Sequence, residues 1–315
     1  MRKISKIAFV GIVFLAIMVA APSMVGVAQS FLSNNNINET VENIQEENSD
    51  ESYIDQNKEV EEDAEEIISE KEPKESEEET NDKVEENSEE FDSRKKVFLT
   101  FDDGPSNLTP EVLEILEKNN VKATFFTIGK SVEQKPELIK QTYDEGHMVL
   151  PHTHSHQYSI YSSFESYYKD LELVEQAIED VLDFDIPKIL RFPGGSSNHS
   201  SFEYGGEQFM PQLTKDIKNK GYYYIDWNVL SGDASSDYDK KDKLISNVIN
   251  GAKNKDFIVI LFHDTARNTA MAEALPEIIS QLKNQEYTFR TFRDITEEEL
   301  DKMVELKLAN KPIVR

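Results

Sequence analysis

The sequence has 315 residues, no cysteine and a net charge of −27, with 61 acidic side chains against 34 lysines and arginines. Without cysteine there are no disulfides and no thiolate metal sites, so stability outside the cell has to rest on a packed core. The acidic balance, with no strong basic patch, excludes nucleic acid as a partner.

The chain opens on "MRKISK", and Ile7 to Ala28 is apolar apart from Ser23. A basic start before an apolar run is an export signal. "GVAQS" offers small residues for cleavage after Ala28, while a run of roughly 20 apolar residues also suits an uncleaved membrane anchor. Residues 1–33 are therefore expected to be a signal peptide or membrane anchor, and the protein to be exported, either anchored at the cell surface or secreted. From Glu39 to Asp92 there are 25 acidic residues and four lysines, a net charge of −21, and no glycine. Such a segment cannot bury enough apolar surface to offset its chain entropy, so residues 34–94 read as a disordered acidic linker. Residues 95–315 are the folded domain, with enough chain for one core and no feature that calls for more than a monomer.

Within that domain apolar runs alternate with helical patterns. "KVFLTF" (96–101) precedes a helix over 109–120, which Thr109 can cap and Pro110 can start. "ATFFTIG" (123–129) precedes a helix near 134–144, a short strand near 147–150 leads into a loop, and 164–182 carries a longer helix. "KILRF" (188–192), a helix near 208–220, "YYYIDW" (222–227), a helix near 239–253, "FIVILF" (257–262), a helix near 269–284 and a strand around 287–292 complete the series. Repeated strand and helix units predict an α/β fold with a parallel sheet, closed as a barrel or open and doubly wound.

Polar residues gather where these strands end. Asp102 and Asp103 close the first strand, Arg191 lies near the end of "KILRF", Asp226 near the end of "YYYID", and His263 follows "FIVILF". In a parallel barrel the carboxyl ends of the strands share one face, which carries the active site. "GHMVLPHTHSHQ" adds His147, His152, His154 and His156. Pro151 argues for a loop or a single turn here, on which His152 and His156 can face the same way. With one carboxylate they would form a two-histidine, one-carboxylate site for zinc or another divalent metal.

"TFDDGP", "HTHSH", "RFPGG", "DWN" and "LFHD" stand in the order and approximate spacing of five motifs of the polysaccharide deacetylases, the NodB-homology domain of carbohydrate esterase family four. The chain resembles that family over about residues 95–292. The resemblance implies a distorted (β/α) barrel of about seven parallel strands and hydrolytic, metal-dependent removal of acetyl groups from glycan, with N-acetylglucosamine of peptidoglycan as the expected substrate. It assigns Asp103, His152 and His156 to one divalent metal, zinc first and cobalt, nickel or manganese after it. Asp102 becomes the general base and His263 the acid that protonates the departing amine. Arg191 is to pair with Asp102, and Asp226 is to orient His263 and favour its protonated form.

The same resemblance gives the oxyanion donor to the backbone N–H of Gly194, where many relatives have a tyrosine, and the acetyl pocket to Trp227 and Leu261. His154 stands where an aromatic is usual, and His147 and His199 receive no role. Chitin-type glycan, exopolysaccharide, muramic acid and O-acetyl xylan remain alternative substrates. A catalytically silent glycan-binding protein on this fold should lack the base, a ligand or the acid, and here none is missing.

Overall fold

The computed structural model describes residues 94–315. The signal or anchor segment expected over 1–33, and all of the linker expected over 34–94 except Arg94, lie outside the described residues. No helix among the described residues is long and apolar enough to cross a membrane.

In chain order the first elements are β1 (Lys96–Asp102), α1 (Thr109–Lys118), β2 (Thr124–Thr127), α2 (Gly129–Gln134), α3 (Pro136–Asp144) and β3 (Met148–Pro151). A 3₁₀ turn at Tyr158–Ser162 leads to α4 (Phe164–Leu182), β4 (Ile189–Leu190), α5 (Phe202–Gly205), α6 (Phe209–Asn219), β5 (Tyr223–Tyr224) and β6 (Val229–Leu230). α7 (Lys241–Ala252), β7 (Phe257–His263), α8 (Thr269–Asn284), β8 (Thr288–Arg290) and α9 (Glu297–Glu305) follow.

Every pairing between these strands is parallel. The main ladder runs β3-β2-β1-β7-β6, and one edge of β1 is shared, with β8 beside Lys96–Phe98 and β2 beside Thr100–Asp102. β4 and β5 form a second ladder, tied to the first where Arg191 N–H donates to the Pro151 carbonyl at 3.1 Å. The outer edge of β5 meets the chain's own C-terminal segment: Ile225 forms an antiparallel bridge with Ala309, and Asp226 N–H donates to the Leu308 carbonyl at 2.7 Å. This is the expected α/β architecture, in keeping with a (β/α) barrel, but built among the described residues from eight strands in two ladders. β6, two residues long, was not foreseen.

Alternation along β1 separates two cores. Val97, Leu99 and Phe101 pack with residues of α1, α7 and α8, whereas Phe98 joins Phe126, Leu150, Ile189, Ile225 and Val259 on the opposite face. Side chains two apart in a strand share a face, so Thr100 and Asp102 continue the Phe98 row. That row runs from aromatic to carboxylate, placing an ionisable group directly above an apolar plug.

The helices follow the sequence patterns with local differences. α4 has the predicted bounds, with Ser163 accepting from Ser166 N–H as its N-cap. The helix expected near 134–144 is α3, and α2 ahead of it was not foreseen; the two are divided at Lys135 immediately before Pro136. A residue before proline is disfavoured in the helical region, which breaks the run there. Thr109 does not cap α1: Leu108 holds the N-cap position without a side-chain bond, and Thr109 Oγ1 accepts from Ser106 N–H at 2.7 Å and donates to Asp264. α9 extends the fold beyond the last predicted strand, opened by a capping box between Thr296 and Glu299.

Candidate active site

The two aspartates at the end of β1 would face opposite ways if the strand continued through both. It stops at Asp102, and Asp103 takes a left-handed backbone, φ 75°, one of the few conformations that turn the next side chain back. Aspartate tolerates this region better than most residues. Gly104 is required next, because a Cβ there would lie 2.4 Å from Asp264 Oδ2. Asp264 is fully buried, bonds the Ser106 and Thr109 hydroxyls, and donates its N–H to the Asp102 carbonyl at 2.7 Å, so the turn is clamped from the β7 side. Burial pushes the Asp264 carboxyl up to about 6, against the opposing hydrogen bonds of those hydroxyls.

The turn sets Asp103 Oδ1 at 3.6 Å from His152 Nε2 and 3.3 Å from His156 Nε2. His152 follows β3 directly. Its Nδ1–H donates to the Arg191 carbonyl at 2.9 Å, since a carbonyl can only accept, and this leaves Nε2 as the lone-pair nitrogen. Burial lowers the His152 pKa, outweighing the nearby charges of Asp102 and Asp103, so the neutral ring is favoured. His156 is turned inward by a left-handed backbone, φ 55°, and its N–H donates to Thr153 Oγ1 at 3.2 Å.

One ligand atom from each of Asp103, His152 and His156 lies within 4.8 Å of the others. Asp103 Oδ1 is buried yet makes no hydrogen bond among the described residues. A buried carboxylate oxygen without a partner is costly, and a cation between it and two nitrogen lone pairs removes that cost. The donor set therefore fits a divalent ion, and a carboxylate with two imidazoles suits zinc or its neighbours in the first transition row.

Asp102 is buried beside this cluster. Its Oδ1 accepts from Arg191 Nη1 at 2.8 Å, and its Oδ2 lies 3.6 Å from His152 Nε2. Arg191 has no exposed surface: Nη1 also donates to Thr100 Oγ1 at 2.7 Å, Nε to the Ile225 carbonyl at 3.0 Å and Nη2 to the Asp226 carbonyl at 3.3 Å. Its guanidinium lies over the Phe126 ring, 4.2 Å from the centroid. Four of the five N–H groups of the fork have partners here, so the arginine fixes Asp102 to one orientation.

His263 is the direct cross-strand neighbour of Asp102 in the parallel β1–β7 ladder, so both side chains rise from the same face. Its partner is not Asp226, as the motif order suggested, but Asp233. His263 Nδ1–H donates to Asp233 Oδ1 at 2.8 Å, and His263 N–H donates to Oδ2 at 2.7 Å. Burial alone would lower the His263 pKa, but the hydrogen bond and charge of Asp233, with Asp102 and Asp103 nearby, outweigh it and raise the value to about 9. Asp226 turns its carboxylate to Ser196 instead, accepting from N–H at 2.9 Å and Oγ at 2.5 Å. β6 explains the change: it returns the chain beside β7, so Asp233 in the following turn reaches His263.

By bonding Ser196, Asp226 holds the "RFPGGS" turn. Gly194 in that turn has φ 75° and is exposed, and its N–H bonds no other described residue. A Cβ at Gly194 would lie 3.1 Å from the Tyr158 hydroxyl, so that aromatic occupies space next to the turn. Gly195 is glycine for contact as well as for its φ of 79°, since a Cβ there would lie 2.9 Å from Trp227 Cη2. Trp227 is half-buried, and Leu261 is 5% exposed on the Thr100 face of the ladder. Leu230, opposite Leu261 in β6, is 56% exposed and adds an apolar side chain that sequence reasoning missed.

The remaining histidines lie apart from this chemistry. His154 Nε2 meets Glu133 Oε1 at 3.0 Å, and its backbone N–H caps onto Asp170. His147 is fully buried with Nδ1 accepting from Ala123 N–H at 3.0 Å, and burial first, then Lys122 and Arg293, lower its pKa to about 3. His199 stacks on Phe202.

A family profile described as polysaccharide deacetylase matches residues 89–208. A peptidoglycan-N-acetylglucosamine deacetylase of Bacillus cereus is 30% identical over 210 residues, which are 65% of this chain and 89% of that protein. The chain belongs to the polysaccharide deacetylase family. A peptidoglycan-N-acetylglucosamine deacetylase of Listeria monocytogenes is 33% identical over 209 residues, 66% of this chain, yet this match spans only 40% of that protein's length. The solved catalytic domain of a peptidoglycan N-acetylglucosamine deacetylase from Eubacterium rectale is 36% identical, with a TM-score of 0.60 over 65% of this chain and 90% of that one. Polysaccharide deacetylase membership agrees with a site on the carboxyl ends of parallel strands, where the geometry gathers its ionisable groups.

Proposed function

We propose that the protein hydrolyses the N-acetyl group of N-acetylglucosamine residues in peptidoglycan, releasing acetate. The observation that carries the reading is the three-donor cluster around the unpartnered Asp103 Oδ1, placed beside the Asp102 and His263 cross-strand pair. Asp103, His152 and His156 would hold the divalent ion, zinc by preference of the donor set. When bound, such an ion polarises an acetyl carbonyl and makes water more acidic.

The chain's own groups divide the proton work. Asp102, held by Arg191, accepts a proton from the attacking water. Gly194 N–H donates to the acetyl oxygen as it gains negative charge. His263, kept protonated by Asp233, gives its proton to the sugar nitrogen as the C–N bond breaks. Trp227 and Leu261 enclose the methyl group. Together the steps convert amide and water into acetate and a free amine.

Peptidoglycan is favoured by the relatives that carry that substrate in their names. An acidic spacer over 34–94 behind an anchor or signal over 1–33 fits a catalytic domain held outside the cell within reach of the wall. The test is acetate release by the purified protein from peptidoglycan and from N-acetylchitooligosaccharides, before and after chelation. Chelator-sensitive release from peptidoglycan is expected. Release from neither, with metal supplied, would overturn the assignment.

A further inference from the structure

A cleft of about 170 Å³ opens beside the oxyanion turn, with Gly194–Ser197 along one side and Asp226, Trp227, Lys307 and Lys311 along the other. The two lysines come from the segment after α9, which is fixed to the end of β5. Asp226 N–H donates to the Leu308 carbonyl at 2.7 Å, Asn310 N–H to the Tyr224 carbonyl at 3.0 Å, and Tyr224 Oη to the Lys311 carbonyl at 2.7 Å. Lys307 occupies a left-handed position, φ 58°, just past the end of α9, a place that ordinarily favours glycine or asparagine. The backbone turn at this residue steers the chain back to β5, and with it both lysines come to border the cleft.

Neither Lys307 nor Lys311 has a carboxylate within 4.0 Å among the described residues, which is equally true of Lys130, Lys215 and Lys253; what sets this pair apart is that both border one cleft. The one carboxylate lining the cleft, Asp226, is occupied by the Ser196 N–H and hydroxyl. The cleft thus combines an aromatic face, two uncompensated cations and a boundary shared with Gly194.

We propose that this cleft is a subsite for a carboxylate carried by the glycan strand, on a residue next to the sugar that loses its acetyl group. The inference rests on the reading of the protein as a glycan deacetylase and narrows its substrate. Trp227 can lie against a sugar face while the ammonium groups meet a pendant carboxylate. Peptidoglycan places such groups next to N-acetylglucosamine, on the peptide substituent or, where the peptide has been removed, on the lactyl group that carried it. Chitin-type oligomers have none. Lysine, a mobile point charge without a fixed fork, suits a substituent whose length and direction vary.

The test is calorimetric binding to the full-length chain in a D102N background, where turnover does not interfere. Three probes of equal sugar length are used: a peptidoglycan fragment with free carboxylates, the same fragment with its carboxylates amidated, and a neutral N-acetylchitooligosaccharide. Adding K307Q and K311Q together should weaken the free-carboxylate fragment about tenfold at low salt, the combined worth of two solvent-facing ion pairs. The other two probes should change less than twofold. Equal weakening of all three, no weakening of the first, or binding of none overturns the subsite. Acetate release by the otherwise native chain is measured separately: its absence on every probe sinks the deacetylase reading, while the binding pattern still decides the cleft.

Discussion

His263 holds both oxygens of Asp233, one through Nδ1–H at 2.8 Å and the other through its backbone N–H at 2.7 Å. A carboxylate gripped in this way keeps the imidazole in one orientation and stabilises its protonated form. Asp233→Asn should therefore move the alkaline limb of the kcat/KM profile to lower pH, because the acid loses its proton sooner. Asp226→Asn should leave that limb in place and lower kcat through the Gly194 turn. An unmoved limb in the Asp233 variant, or a moved one in the Asp226 variant, would contradict the assignment.

The same pair links pH to stability. Since the folded His263 value, about 9, exceeds its ordinary 6.5, its contribution is complete below 6.5 and is lost as pH rises through about 9. Melting temperatures recorded across that window should fall for the native chain more than for Asp233→Asn. Parallel curves would count against the coupling.

Arg191→Met should cost about 3–5 kcal/mol of stability, the usual range when one partner of a buried ion pair is removed and its charge is left alone. Arg191→Lys should recover little, since one ammonium cannot reach Asp102, Thr100 and two carbonyls in the plane of a guanidinium. Urea unfolding of the three proteins measures this. A lysine variant as stable as the native chain would show that the fork is dispensable.

Most of the site was legible because its residues end strands that announce themselves by long apolar runs: Asp102 and Asp103 after "KVFLTF", and His263 after "FIVILF". The long helix over 164–182 was equally plain from its period. What failed was a strand too short to have a pattern. β6 is two residues long, so nothing in the sequence marked the second pass beside β7, and Asp226 was given a partner that belongs to Asp233. Asp233 itself sits in "SGDASS", which reads as an ordinary turn. α9 had a readable signal in Thr296 and Glu299, three apart before a helical stretch. Thr109 shows the reverse error, a good capping residue diverted by a tertiary hydrogen bond to Asp264.

His154→Gln should leave metal content unchanged, because its ring faces Glu133. His156→Gln should lower metal content, and added metal should restore part of the activity. Elemental analysis after dialysis distinguishes the two. Loss of metal in the His154 variant would mean that the ligand set is misassigned.

The central claim is that two adjacent aspartates do different work because the strand ends between them. Asp103 carries a buried oxygen, without a hydrogen-bond partner among the described residues, between two histidine nitrogens, whereas Asp102 is fixed by Arg191 beside His263. The direct measurement is metal content alongside acetate release for Asp102→Asn and Asp103→Asn. Asp102→Asn should keep its metal while turnover falls roughly 10²–10⁴-fold, the worth of a general base, with no rescue by excess metal. Asp103→Asn should lose metal and regain part of its activity when metal is added in excess. If both variants lose metal equally, or both retain it, the division of labour between the two carboxylates is wrong.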